Sequence, residues 1–263
     1  MHGAGEAFDR LAGSYDEVFT RSVIGRVQRG VVWKVLAETF RPGDRILELN
    51  CGTGEDALFL GRRRVTVEGC DASAEMIEVA GRRKILEGPE LPIQFRQLPT
   101  EQIGKLRGQT FDGALSNFSG LNCVGELDRV ASDLCGLVRK GGSLVLCFSN
   151  RVCLWELLWF GVRGNFEKGR RRLGGSTIAH VGEHSVHVWY PTLKEIERAF
   201  APWFRLRSAR AVGLFVPPSY LEFWASKHRR AVSWLASADG ALSHLPILRF
   251  LGDHVLLRFE RVL

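Results

Sequence analysis

Apolar residues along this chain switch repeatedly between a helical and an alternating spacing. Phe8, Leu11, Ala12, Tyr15 and Phe19 recur at helical intervals, and Ser14-Tyr15-Asp16-Glu17 has the form of a capping box that would restart the helix. A second helical pattern covers residues 25–40 and stops at Arg41-Pro42-Gly43-Asp44. Short apolar runs follow at 45–49, 65–71, 93–98 and 111–118, with helices predicted from about Glu55 and over 74–83. A helix is expected over 127–138, a strand after Gly141-Gly142, and a helix over 192–201 capped by Thr192 with Glu195 three positions on. The last strands are placed at 204–216 and 254–262, where Val255, Leu257 and Phe259 alternate with Arg258 and Glu260. Strands alternating with helices imply an α/β fold with a parallel sheet and right-handed crossovers.

The first of these strands carries the densest chemistry. Arg45-Ile46-Leu47-Glu48-Leu49 runs into Asn50-Cys51-Gly52-Thr53-Gly54 and then a helix. Gly52 and Gly54 permit positive φ and close approach of a ligand to the backbone, while the helix start offers unpaired N–H groups. Asn50 stands where a first glycine would be expected and tolerates left-handed backbone better than most residues. Ala57 at the third place is compatible with a dinucleotide turn, so glycine spacing alone does not choose the ligand. Glu48 discriminates further: an acid two residues before the turn crowds a pyrophosphate and suits an ammonium group, and a buried carboxylate there is expensive without a partner. A second acid, Asp71, ends the next strand, where it can hold two ribose hydroxyls or help start the following helix.

These segments, with Phe111-Asp112-Gly113-Ala114-Leu115-Ser116-Asn117-Phe118 and Leu137-Val138-Arg139-Lys140-Gly141-Gly142-Ser143-Leu144-Val145-Leu146, resemble the class I S-adenosylmethionine-dependent methyltransferases of the type 11/25 kind over the first 150 residues. The resemblance implies a Rossmann-like seven-stranded sheet with helices on both faces, and S-adenosylmethionine as cofactor. It implies that Glu48 holds the methionine amino group and Asp71 the ribose, with Ala72 and Leu98 flanking the adenine. Gln97 replaces a usual acid, and its carbonyl can accept the same hydrogen bond. Cofactor contacts are expected from Tyr15, Glu48, Asn50, Gly52, Gly54, Asp71, Ala72, Met76, Gln97, Leu98, Asn117 and Phe118. For Tyr15, core packing is an equal alternative.

A single domain is expected, comprising an N-terminal helical cap (1–40), a cofactor-binding core (41–150), a lid insertion (151–190), further core (191–216), a second insertion (217–253) and the last strand (254–263). Connections this long usually have a function, and helical lids over the acceptor crevice are expected. The first insertion carries Leu154-Trp155-Glu156-Leu157-Leu158-Trp159-Phe160 and then Arg163, Lys168, Arg170, Arg171 and Arg172, a combination that also fits a membrane surface. The lid reading is preferred, with peripheral membrane or lipid contact the lesser one.

Candidate bases are His184 and His187, within His180–Tyr190. On a helix His180, His184 and His187 would align for a metal, but Gly182 and the alternation of Val186, Val188 and Tyr190 predict a strand, and no metal is expected. The segment after strand four reads Ser116-Asn117-Phe118-Ser119, without the N-P-P-Y or D-P-P-Y tetrapeptide of exocyclic amino methylation, so no specific nucleic acid is expected.

The 263 residues are 45% hydrophobic and 25% charged, which excludes disorder over most of the length. The formal charge of +7 bears on nonspecific association rather than on fold. There is no signal-like run before Glu17 and no C-x-x-C spacing among the six cysteines, so a reduced, cytoplasmic chain is expected. The expected function is methyl transfer to O, N or C of a small, partly apolar metabolite. The alternatives are a catalytically silent cofactor-binding partner, or action on a lipid-like or nucleic-acid acceptor. The oligomeric state is not legible.

Overall fold

The computed structural model describes residues 4–181 and 184–263. Gly182, cited above as evidence for a strand, lies outside the described residues. Seven strands form one sheet: β1 (Arg45–Leu49), β2 (Thr66–Asp71), β3 (Ile93–Gln97), β4 (Phe111–Ser116), β5 (Val138–Ser149), β8 (Phe204–Val212) and β9 (His254–Arg261). Their order is β3-β2-β1-β4-β5-β9-β8. A separate hairpin pairs β6 (Ser176–Val181) with β7 (His184–Trp189).

The sheet is mixed, which corrects the wholly parallel expectation. β9 runs antiparallel to both β5 and β8. No crossover helix returns the chain to the other edge before β9, so it enters from the side where β5 and β8 end: Ser149 and Val212 both face His254. The functional edge therefore receives the beginning of β9 along with the carboxyl ends of the other strands.

Eleven α-helices accompany the strands among the described residues: α1 (Ala4–Asp9), α2 (Ala12–Tyr15), α3 (Val23–Thr39), α4 (Glu55–Arg62), α5 (Ala74–Glu87), α6 (Leu127–Leu137), α7 (Leu154–Val162), α8 (Phe166–Arg170), α9 (Leu193–Phe200), α10 (Glu222–Lys227) and α11 (Arg229–Leu242). Strand alternation sorts the core into two layers. Leu47, Leu49, Ala114, Leu144 and Leu257 pack with α6 and α9 residues such as Leu134 and Phe200. Ile46, Leu115, Val145 and Leu256 pack on the other face with Val32 and Leu36 of α3 and Leu58 of α4.

The N-terminal helix breaks earlier than its pattern predicts. After α2 the chain continues as a π turn over Asp16–Thr20, and the expected capping box does not form: the Ser14 hydroxyl donates to the Leu11 carbonyl instead. Asp16 is turned inward to accept from the Thr53 hydroxyl at 2.6 Å, a tertiary bond no local pattern announces. Ser22, by contrast, caps α3 by accepting from the Gly25 N–H at 2.8 Å. The capping box at Thr192 and Glu195 forms as predicted.

Candidate active site

β1 lies where the strand order reverses, with β2 on one side and β4 on the other, and in open α/β sheets such a switch point opens a ligand crevice at the strands' carboxyl ends. The β1–α4 turn forms its floor. Asn50, Gly52 and Gly54 all have positive φ, at 53°, 52° and 78°. At Gly54 a Cβ would come within 2.6 Å of the Phe95 ring, so glycine is required for close packing as well as for backbone freedom. Asp71, at the end of β2, fixes the turn from the side: one carboxylate oxygen accepts from the Gly52 N–H at 2.8 Å and the other from the Ser73 N–H at 2.9 Å. Ser73 rather than Asp71 caps α5, accepting from the Met76 N–H at 3.1 Å. Burial raises the Asp71 carboxyl, opposed by the N–H groups of Ser73, Gly52 and Ala72.

Over this floor closes a roof from three distant segments. α1 packs so tightly that a Cβ on Gly5 would meet the Ala72 carbonyl at 2.7 Å. Val188 of the β6–β7 hairpin closes another side, and the Asn117–Gly120 turn a third. The enclosed cavity is about 330 Å³. Of the predicted cofactor residues, Tyr15, Asn50, Gly52, Asp71, Ala72, Met76, Asn117 and Phe118 line it. Gly54 supports the turn from behind. Gln97 is exposed and donates to the Ala72 carbonyl at 3.2 Å, and Leu98 is buried; neither reaches the cavity wall. Phe118 and Ser119 hold left-handed backbone at φ 43° and 70°, strain of a kind concentrated at functional sites.

Glu48 is 2% exposed, and its Oε2 has no hydrogen-bond partner among the described residues. Burial pushes its carboxyl well above the usual range, nearby Asp56 adds to this, and Arg29 opposes it. Behind it, Asp56 is satisfied by three side chains: Arg29 at 2.6 Å, the Trp33 indole at 2.6 Å and the Asn117 amide at 2.8 Å. Glu48 does not itself line the cavity, so its orphan oxygen is buried among protein groups. The glycine turn and the Asp71 carboxylate, which do line it, fit a ligand that brings a ribose.

A methyltransferase-domain family profile matches residues 46–142, the stretch that supplies the floor and β4. The demethylmenaquinone methyltransferase of Symbiobacterium thermophilum is 32% identical over 149 residues, covering 53% of this chain and 56% of that enzyme. The phosphatidylethanolamine N-methyltransferase of Cereibacter sphaeroides is 34% identical over 123 residues, covering 46% of this chain and 59% of the other. The chain thus spans under two thirds of either enzyme. Among solved structures, the cyclase SpnF superposes with a TM-score of 0.64 at 17% identity, covering 98% of this chain and 95% of that one, a likeness of fold alone.

Residues 46–142 match the methyltransferase-domain family, and the whole chain has the fold of the class I S-adenosylmethionine-dependent methyltransferases.

The methyltransferase fold here carries a second cavity of about 350 Å³ that shares Tyr15 and Phe118 with the first. Its other walls include Leu11, Val18, Phe19, Arg172, Asp253 and His254. His254 is 8% exposed, sits edge-on to Phe118 with ring centroids 5.5 Å apart, and has Nδ1 3.5 Å from Asp253 Oδ2. Burial lowers its pKa, Asp253 opposes that, and Arg172 reinforces it, so the imidazole is neutral at physiological pH. Arg172 donates to Asp253 at 2.8 Å and to Glu156 at 2.7 Å, both carboxylates buried. The run read in sequence as a basic loop thus contributes an internal clamp.

The predicted histidines lie elsewhere. β7 alternation places His184 on the face of Val188 and His187 on the opposite face, where it is exposed and stacks on Trp189 at 4.1 Å. Neither lines either cavity. Sequence reasoning missed His254, Asp253 and Arg172 as site residues. The sequence places His254 at the head of the last strand and Asp253 at the end of the second insertion, and only the antiparallel entry of β9 sets His254 beside Phe118.

Proposed function

We propose that this methyltransferase transfers a methyl group from S-adenosylmethionine to O, N or C of a small, largely apolar, lipid-like acceptor held in the second cavity. The observation that carries the reading is the pair of adjoining cavities sharing Tyr15 and Phe118, one floored by the glycine turn and Asp71, the other lined by Leu11, Val18 and Phe19 on one part and by a buried imidazole and polar groups on the rest. The acceptor names of the two relatives, demethylmenaquinone and phosphatidylethanolamine, support a lipid-like acceptor.

Within this reading Glu48 receives the donor's ammonium, directly or through its neighbours, and Asp71 receives ribose hydroxyls while still held by Gly52 and Ser73. Met76 and Ala72 lie against the base. When bound, the cofactor supplies an electrophilic methyl on a positively charged sulfur. Transfer then depends chiefly on in-line positioning, for which the shared Tyr15 and Phe118 form the boundary. A proton leaving the acceptor passes to the imidazole of His254, which lines the second cavity and whose Nδ1 makes no hydrogen bond among the described residues. This replaces His184 and His187 as the proposed base.

Titration calorimetry with S-adenosylhomocysteine tests the first cavity. Formation of that product from S-adenosylmethionine with a series of demethylated naphthoquinols and lipid amines tests the second. Heat on binding without turnover on any acceptor would leave a cofactor-binding protein and overturn the transfer reading.

A further inference from the structure

The two insertions divide their charges in an unusual way. Within residues 154–170 and 217–250 there are four carboxylates, Glu156, Glu167, Glu222 and Asp239, and three of them are turned inward. Glu156 is consumed by Arg171 and Arg172, Glu222 accepts from the N–H groups of Val23 and Ile24, and Asp239 accepts from those of Phe215 and Val216. The basic residues point the other way: Arg163, Lys168, Lys227, Arg229 and Arg230 are exposed and make no ion pair among the described residues.

The same surfaces expose apolar side chains. Phe223 and Trp234 are 75% and 79% exposed, Val162 87% and Ile247 76%. On α10, Phe223 and Lys227 lie four apart opposite the buried Ala225, and on α11, Arg230 and Trp234 lie four apart opposite the buried Val232 and Asp239. On α7, Leu158 and Val162 are exposed opposite buried Glu156. The aromatic rings carry cations: Lys227 Nζ lies 3.9 Å from the Phe223 centroid and the Arg163 guanidinium 3.2 Å from that of Trp159. The two insertions also meet, since Trp159 and Phe160 pack on Tyr220, and Trp155 ties the first to the core by donating to the Phe215 carbonyl at 3.2 Å.

We propose that these outer helix faces dock on the surface of an anionic lipid bilayer. Exposed aromatic and aliphatic side chains enter the headgroup boundary, and the unpaired Lys and Arg residues meet the lipid phosphates. Charge complementarity selects the occupant: a surface from which the carboxylates have been withdrawn attracts an anion. The exposed aliphatic residues Leu158, Val162 and Ile247 separate a bilayer from a nucleic acid, which rewards stacking and hydrogen bonding but not buried alkyl groups. Arg172 of the first insertion and Ser219 of the second line the second cavity, so the same two insertions form the docking faces and part of that cavity's wall. The docking claim does not depend on methyl transfer.

Flotation of the purified full chain with vesicles tests it. Binding is expected to vesicles of phosphatidylcholine and phosphatidylglycerol in equal parts, with binding to phosphatidylcholine alone at least about tenfold weaker. Phe223→Ser with Trp234→Ser, both at exposed positions, should reduce binding about tenfold or more at an unchanged melting temperature. Lys227→Glu with Arg230→Glu is a second arm and should abolish the preference for the anionic lipid. Equal binding to both vesicles, undiminished binding by both double variants, or retention of a duplex oligonucleotide with no vesicle binding would each overturn the proposal.

Discussion

The two cavities differ in how far along the chain their walls are collected. The floor of the first comes from one continuous strand–turn–helix unit, with its key acid one strand later. The second joins residues 11–19, 118, 149, 172, 219 and 253–254. One is dictated by backbone geometry, glycine freedom and short-range hydrogen bonds. The other exists only after the sheet has closed and two insertions have folded back. A site of the first kind can be shared by proteins with different acceptors, while one of the second kind varies with every insertion.

The largest expected effect of breaking this contrast is at Arg172. Arg172→Met leaves Asp253 and Glu156 buried with fewer partners, and should cost about 3–5 kcal/mol of stability, read as a large fall in melting temperature. An unchanged melt would show that Arg172 is not what holds Asp253 and Glu156 inside. Next is His254→Ala, expected to lower turnover about 10²-fold or more while leaving the affinity for S-adenosylhomocysteine unaltered, because only the second cavity changes. Its pH signature follows from the lowered pKa: the rate should fall as pH drops through a value below the ordinary histidine range, since protonation removes the acceptor nitrogen. The same shift makes the unfolded chain bind more protons between the two pKa values, so this residue's contribution to stability is present above the ordinary histidine pKa and is lost as pH falls below it. A rate flat through that window would remove His254 as base.

Asp71→Ala sharpens the other side of the comparison. It should weaken cofactor binding by about 1.5–3 kcal/mol if charged hydrogen bonds hold the ribose, and acceptor effects should be secondary. Calorimetry showing an unaltered dissociation constant would confine Asp71 to bracing the turn. Glu48→Gln has two opposed consequences. A carboxyl raised by burial contributes stability below its unfolded pKa and loses it as pH rises through the folded value, so the amide should stabilise the ligand-free protein at neutral pH while weakening cofactor binding. Destabilisation of the ligand-free form would show that the Glu48 charge is compensated in a way the buried network does not provide. The smallest effect is expected for His187→Ala, whose exposed ring stacks on Trp189, and a substantial loss of turnover there would restore it as a catalytic candidate.

The sequence by itself determined the strand–turn–helix unit at Glu48–Gly54, the place of Asp71, all seven sheet strands to within a few residues, and the existence of two insertions. These rest on periodicity, glycine and capping, which act over a few residues and leave a local imprint. Only the tertiary structure decided that β9 runs antiparallel, that Ser73 caps α5, that Gln97 and Leu98 stand off the first cavity, and that His254 rather than His187 lines the second. Each depends on which distant segment packs alongside, and a residue's neighbours across the sheet leave no periodic trace in its own stretch of chain. Charge burial belongs to the same class: nothing in the separate stretches around Glu156, Arg172 and Asp253 shows that they meet, and their mutual compensation is what permits all three to be inside.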